Sequence, residues 1–265
     1  MRRRVNTVCI CVCALAIAGC GGAAADDPLE VLAATTERLG DIESADLDVD
    51  FEVTPSGIAG DDPFGWRIQG PVEFSDDGLP EAEVTFTQFV GGEEGSARFL
   101  SDGEQAVAEL GGTAYALPEE ETAGLRGRGE DLGVLDISEW VRDPRVEDGP
   151  EIDGTETQVV RADLDAGAAF GDLLELLPEG AGVSSADLDP LANAVRAASI
   201  EVVSGREDHL LRRLRIELTF ASDTSEELGG QPIAGASFLL EVALTDLNKD
   251  VEVEIPAETE PLPEM

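Results

Sequence analysis

Residues 46 to 53 read Asp-Leu-Asp-Val-Asp-Phe-Glu-Val, so Leu47, Val49, Phe51 and Val53 alternate with Asp46, Asp48, Asp50 and Glu52. A period of two sends the two sets to opposite faces of a strand. Unpaired carboxylates are too costly to bury. A sheet that contains this strand must therefore have one apolar face and one solvated face. The pattern returns along the chain: Val72 and Phe74 flank Glu73, and Val84 and Phe86 flank Thr85. Leu214, Ile216, Leu218 and Phe220 alternate with Arg213, Arg215, Glu217 and Thr219. Phe238, Leu240, Val242 and Leu244 are spaced by two, as are Val251, Val253 and Ile255. Weaker strands are expected at Ala97–Leu100, Ala106–Leu110, Tyr115–Leu117, Thr157–Ala162 and Ile200–Val203. Asp77-Gly78, Asp102-Gly103, Gly111-Gly112, Asp153-Gly154, Gly205–Asp208 and Gly229-Gly230 separate them as turns.

Helical spacing breaks in at four places. Asp27 is a good N-cap, Pro28 suits the first helical position, and Glu30 completes a capping box. Leu29, Leu32, Thr36 and Leu39 share a face there, and Gly40 ends the helix. Asp136 opens a short helix with Ile137, Trp140 and Val141 on one side. Longer helices are expected over Asp165–Leu177 and Asp187–Ala198, while Glu119-Glu120-Glu121 reads as an acidic loop. Strands in consecutive hairpins with a few helices give an α+β chain: a curved antiparallel sheet with helices across its apolar face. No repeat or Pro/Ser-rich linker divides it, so 27–256 reads as a single domain and 257–265 as a flexible acidic tail.

The N-terminus carries an address. Arg2, Arg3 and Arg4 precede an apolar stretch from Val5 to Ala18, which ends in Ile17-Ala18-Gly19-Cys20. A basic start, a short apolar run and small residues before a cysteine form a lipoprotein signal with a lipobox. Residues 1–19 are expected to be removed, leaving Cys20 acylated as the membrane anchor and 20–26 as a short tether. Cys9, Cys11 and Cys13 leave with the signal, so the exported domain holds neither a free thiol nor a disulfide. No later segment approaches the length of apolar run that spans a bilayer. The expected location is the extracytoplasmic face of the cell membrane.

Charge excludes other roles. The chain has 57 Asp+Glu against 17 Lys+Arg, a net −40, and loss of the three leader arginines takes this to −43. No basic patch for a phosphate backbone can be assembled, so nucleic acid is excluded as a partner. No nucleophile elbow, phosphate loop or Cys-x-x-Cys is present. His209 is the sole histidine and falls in a turn, so neither a Ser-His-Asp triad nor a zinc site is expected. Asp46-x-Asp48-x-Asp50 resembles a calcium loop in spacing, but it lies on a strand face. Trp140 is expected in the core or at its rim. No catalytic residue, metal or cofactor is expected.

The order of these pieces resembles the LolA-like lipoprotein superfamily, in particular the mycobacterial LppX/LprG lipoproteins. The residues that carry the likeness are Ile17-Ala18-Gly19-Cys20 and the Pro28–Leu39 helix leading into an alternating strand. The Leu135–Pro144 stretch around Trp140, the Asp153-Gly154-Thr155 approach to a strand, and the Leu247–Ala257 close add to it. The resemblance implies a half-barrel whose concave side holds acyl chains of lipids or lipoglycans during envelope transport. On that side the parity of the strands places Val49, Phe51, Val72, Phe74, Val84, Phe86, Leu214, Ile216, Leu218, Phe220, Phe238, Leu240, Val242 and Leu244. The alternative is a non-enzymatic envelope interaction lipoprotein of the same fold, with a filled core and a protein partner. Alternation alone does not separate the two, because both produce the same pattern.

Overall fold

A computed structural model describes residues 27–56, 62–75, 78–123, 126, 137–169, 195–221, 227–228, 231–232 and 235–262. The signal, Cys20, the tether, Asp136 and most of the two longer expected helices lie outside the described residues. Helix α1 (Pro28–Glu37) starts where the sequence places it, with Asp27 Oδ1 accepting a hydrogen bond from the Leu29 N–H at 3.0 Å. It ends before Gly40 and continues as a 3-10 turn over Leu39–Asp41. Its buried side is Val31, Leu32 and Thr35, whereas Leu29 is 47% exposed. Leu32 and Leu39 face inward as expected, but the stripe turns away from Leu29 and Thr36 toward Val31 and Thr35.

Strands β1 (Ser44–Ser56), β2 (Phe64–Glu73), β3 (Glu81–Val90), β4 (Glu93–Asp102), β5 (Ala106–Leu110) and β6 (Thr113–Ala116) form a first meander. A one-turn helix α2 (Glu119–Thr122) replaces the expected acidic loop. Strands β7 (Val141–Asp148), β8 (Thr157–Leu164), β9 (Val195–Gly205) and β10 (Leu211–Ala221) form a second meander. A small hairpin, β11 (Glu227–Leu228) and β12 (Gln231–Pro232), precedes β13 (Gly235–Thr245). β13 pairs with β10 on one side and β1 on the other, joining the two meanders into one sheet. β14 (Glu260–Pro261) adds to the far edge beside β6, in parallel. The order is β14-β6-β5-β4-β3-β2-β1-β13-β10-β9-β8-β7, a 12-stranded sheet that does not close. It is the open curved sheet that a one-sided apolar pattern of this width requires.

Register carries the two-faced pattern across strands. Leu47, Val49, Phe51 and Val53 oppose Leu244, Val242, Leu240 and Phe238. These in turn continue to Leu214, Ile216 and Leu218 on β10 and to Val202, Ile200 and Ala198 on β9. The other face is laced by arginine–carboxylate pairs. Arg67 reaches Asp50 at 3.2 Å, and Arg98 bridges Glu83 at 2.6 Å and Glu109 at 2.8 Å. Arg161 and Arg213 both hold Glu201, at 2.7 and 2.6 Å, and Arg215 reaches Glu241 at 2.8 Å. Burial pushes the Glu201 carboxyl up, but hydrogen bonds from Arg213 and Arg161 outweigh it and leave the group below its ordinary range.

Four further expectations change. Val195–Ala198, expected as the last turn of a helix, is strand: pairing with β10 overrides the local helical spacing. β7 follows the Trp140 turn directly although it contains Pro144. The proline is tolerated because the strand is an edge and the ladder shifts register between Arg142 and Arg145, with Asp143 at φ 50°. Val251–Ile255 alternates in sequence but joins no ladder. Finally, the tail is not wholly free, since Glu260 and Pro261 pair with Tyr115 and Ala116.

Candidate functional site

By register, the expected residues on β1, β2, β3, β10 and β13 fall on one face, Phe74 follows the end of β2, and their surroundings differ. α1 and the 3-10 turn Ile137–Trp140 lie over the β7–β10 half of the apolar face. There Val31, Leu32, Ile137, Trp140, Val160, Ala162, Ile200, Val202, Ile216, Leu218 and Leu244 form one buried cluster. Trp140 is 0% exposed and its carbonyl accepts from the Asp165 N–H at 2.6 Å. Of the expected lining residues, Ile216, Leu218 and Leu244 are consumed in this core, and Val72 is buried further along the sheet.

The rest of the face is different. Val49, Phe51, Phe74, Val84, Leu214, Phe220, Phe238, Leu240 and Val242 are half-buried, and Phe86 is 41% exposed. Five rings form a row across β3, β2, β1, β13 and β10. Phe86 and Trp66 stack with centroids 6.4 Å apart, and Trp66 and Phe51 at 5.5 Å. Phe51 is 6.2 Å from Phe238, which meets Phe220 edge-on at 4.8 Å. Spacings of this kind give attraction beyond plain area burial. The row sits in place because the register aligns Phe51 with Trp66 and Leu218 with Phe238. Across five strands it runs about 19 Å at the usual interstrand spacing. Next to it, Gly70 is held at φ +135°, where a Cβ would meet the Glu83 carbonyl oxygen at 2.1 Å. Only glycine fits there. Trp66 and Ile68 were not among the expected lining residues. The alternation of Phe64, Trp66 and Ile68 with Gly65, Arg67 and Gln69 carries the signal.

Two clefts among the described residues lie elsewhere. One of about 600 Å³ is bounded by β5, β6 and the returning tail, with Leu79, Val107, Leu117 and Ile255 in its wall. Another of about 590 Å³ is bounded by Arg142, Asp165 and Val195. Neither contains the aromatic row. His209 is at φ 55° in the β9–β10 turn, with Nδ1 3.4 Å from Gln158 Nε2. Asp48 accepts from Gln69 Nε2 at 2.9 Å and Asp50 from Arg67, so these carboxylates serve the solvated face. Among the described residues no cluster of three metal-ligating side chains occurs, and no helix is long and apolar enough to cross a membrane.

No protein-family model matches the sequence, and no curated protein does. Among solved structures, the chain is similar to LprF from Mycobacterium bovis. The TM-score is 0.50 at 14% identity, over 89% of this chain and 100% of that one. The two share a fold. The Mycobacterium tuberculosis lipoprotein LppX also aligns, with a TM-score of 0.40 at 15% identity over 86% of this chain and 100% of that one.

Proposed function

We propose that this chain is an exported lipoprotein, anchored through acylated Cys20, that binds acyl chains of a lipid or lipoglycan on the open half of its apolar face for transport within the envelope. The observation that carries the reading is the row Phe86–Trp66–Phe51–Phe238–Phe220, partly exposed on a face that is sealed around Val160, Ile200, Val202 and Ile216. Large contiguous apolar exposure is uncommon on a monomer and marks a binding surface. A strip of about 19 Å exceeds the ~15 Å depth of one bilayer leaflet, so an extended acyl chain fits along it. The fold shared with LprF, and the likeness of the sequence to a lipoprotein family, support the same reading.

The second reading, an interaction protein with a filled core, rests on Ile216, Leu218 and Leu244, which protein already covers. The two are separated by purifying the exported Cys20→Ala chain and analysing its organic extract by mass spectrometry. A stoichiometric lipid supports the carrier. A lipid-free extract, together with no uptake of added lipid, overturns it.

A further inference from the structure

The open end of the aromatic row has a lip, and its register is fixed. Gly91 and Gly92, at φ 58° and 82°, make a two-residue turn between β3 and β4. That turn sets Glu93 directly opposite Val90, and Gly95 opposite Gln88. Phe86, Gln88 and Val90 share the apolar face by parity, so Glu93 stands on that face too. Val90 is 57% exposed and Phe86 41%, and Val90 pairs across to Phe64 and so into the row. Asp62 is exposed nearby, and so is Glu94, which opposes Phe89 and stands on the other face of the same turn. Cations are placed oppositely. The only two on β1–β4 are Arg67 and Arg98; both lie on the other face, held by Asp50, Glu83 and Glu109. The hydrogen bond that Arg98 donates to the Glu83 carboxylate holds the guanidinium protonated more firmly than usual.

Resting on the acyl-chain reading above, we infer that Glu93 sets the headgroup class: the lip admits lipids whose headgroups are uncharged or zwitterionic and turns away anionic ones. An acyl chain that follows the row from Phe220 over Phe51 to Trp66 reaches Gln88, directly opposite Trp66, with Val90 next along the same face of the strand, and leaves its headgroup there. There it meets an amide that donates and accepts, and a carboxylate that repels anions. The net charge of the chain, −40, adds repulsion that reaches furthest at low salt, where the screening length is ~30 Å at 10 mM. A neutral headgroup carrying hydroxyls or an ammonium loses nothing at such a lip.

The test uses the Cys20→Ala chain and two pyrene-labelled lipids with identical acyl chains, a phosphatidylcholine and a phosphatidylglycerol. Each is supplied as a trace in phosphatidylcholine vesicles, and transfer is read from loss of excimer emission. The expected result at 10 mM NaCl is at least tenfold greater uptake of the zwitterionic lipid. That ratio shrinks in about 0.5 M NaCl. In the Glu93→Lys, Glu94→Lys double variant the ratio falls about five- to tenfold, through gain of phosphatidylglycerol uptake alone. Both positions are exposed beside the turn, and an unchanged thermal midpoint shows that the fold is kept. Equal uptake of both lipids by the wild type overturns the inference but leaves the binding reading standing. Uptake of neither overturns the binding reading itself. A wild-type preference that the double variant does not narrow removes Glu93 from the role.

Discussion

The two halves of the apolar face are built from the same alternation and end in different states. On β8–β10 the inward residues Val160, Val202, Ile200 and Ile216 lie at 5% exposure or below, beneath α1 and Trp140. On β1–β3 the equivalent positions Val49, Phe51, Ile68 and Phe86 are half-buried or exposed. Side chains differ as well. The covered half is aliphatic, with small and branched residues that interdigitate at high density. The open half is aromatic: Phe86, Trp66 and Phe51 stack on one another, while Phe238 and Phe220 also pack against the buried cluster. Period two fixes which way a side chain points but not what meets it there. That second fact comes from contacts distant in sequence, such as α1 against β7 and β8.

Substitutions should separate the halves. The largest effect is expected for Trp140→Ala, which empties a fully buried site; unfolding free energy should drop by about 3–5 kcal/mol in urea denaturation. Phe86→Ala removes a ring of similar bulk from the open half. Because Phe86 is 41% exposed, its cost should stay below about 1 kcal/mol while bound lipid falls several-fold. A matched pair of enlargements sharpens the contrast. Leu218→Trp, at a position 7% exposed, should overpack and cost roughly 1–3 kcal/mol. Val242→Trp, on the neighbouring strand β13 and half-buried, should leave the midpoint almost unchanged and displace lipid. If both tryptophans destabilise equally, the halves are not distinct.

A smaller effect concerns pH. Glu201 is on the opposite face of the covered half, held by Arg161 and Arg213, with its folded value below the ordinary carboxylate one. A depressed carboxylate contributes stability above its unfolded value that is lost as pH falls through the folded one. Glu201→Gln should therefore lower the midpoint at neutral pH and narrow the gap to wild type on acidification below about 4.5. A gap that stays constant with pH would show that the pair is not linked to folding. The smallest expected effect is that of salt. Self-repulsion at −40 should let the midpoint rise modestly between low and moderate NaCl, against a partial offset from the surface ion pairs.

Much of this architecture could be read from the residues. Leu47–Val53 and Leu214–Phe220 announce their faces, and the turns at Asp102-Gly103, Gly111-Gly112 and Asp153-Gly154 sit where expected. Three things were hidden for physical reasons. β7 was masked by Pro144, which local rules treat as a stop although an edge strand with a bulge accepts it. Val195–Ala198 looks helical alone, and only the neighbour β10 makes it strand. The strand-like Val251–Ile255 was misleading because Asn248 diverts the chain first: its side chain accepts from the Glu43 N–H at 2.8 Å and donates to the Asp41 carbonyl at 2.9 Å. At the candidate site, direction was legible and coverage was not. Leu218 and Val242 obey the same rule of parity yet one is core and the other half-open.

The chain carries two tryptophans, and they report on the two halves: Trp66 lies within the aromatic row and Trp140 within the sealed core. Quenching of their emission by brominated acyl-chain phosphatidylcholine tests the central claim most directly. The account predicts strong, saturable quenching in the Cys20→Ala chain that disappears in its Trp66→Phe derivative, whose remaining emission from Trp140 stays unquenched. Equal quenching with and without Trp66, or none in either protein, would contradict the claim that the open half of the sheet is where acyl chains bind.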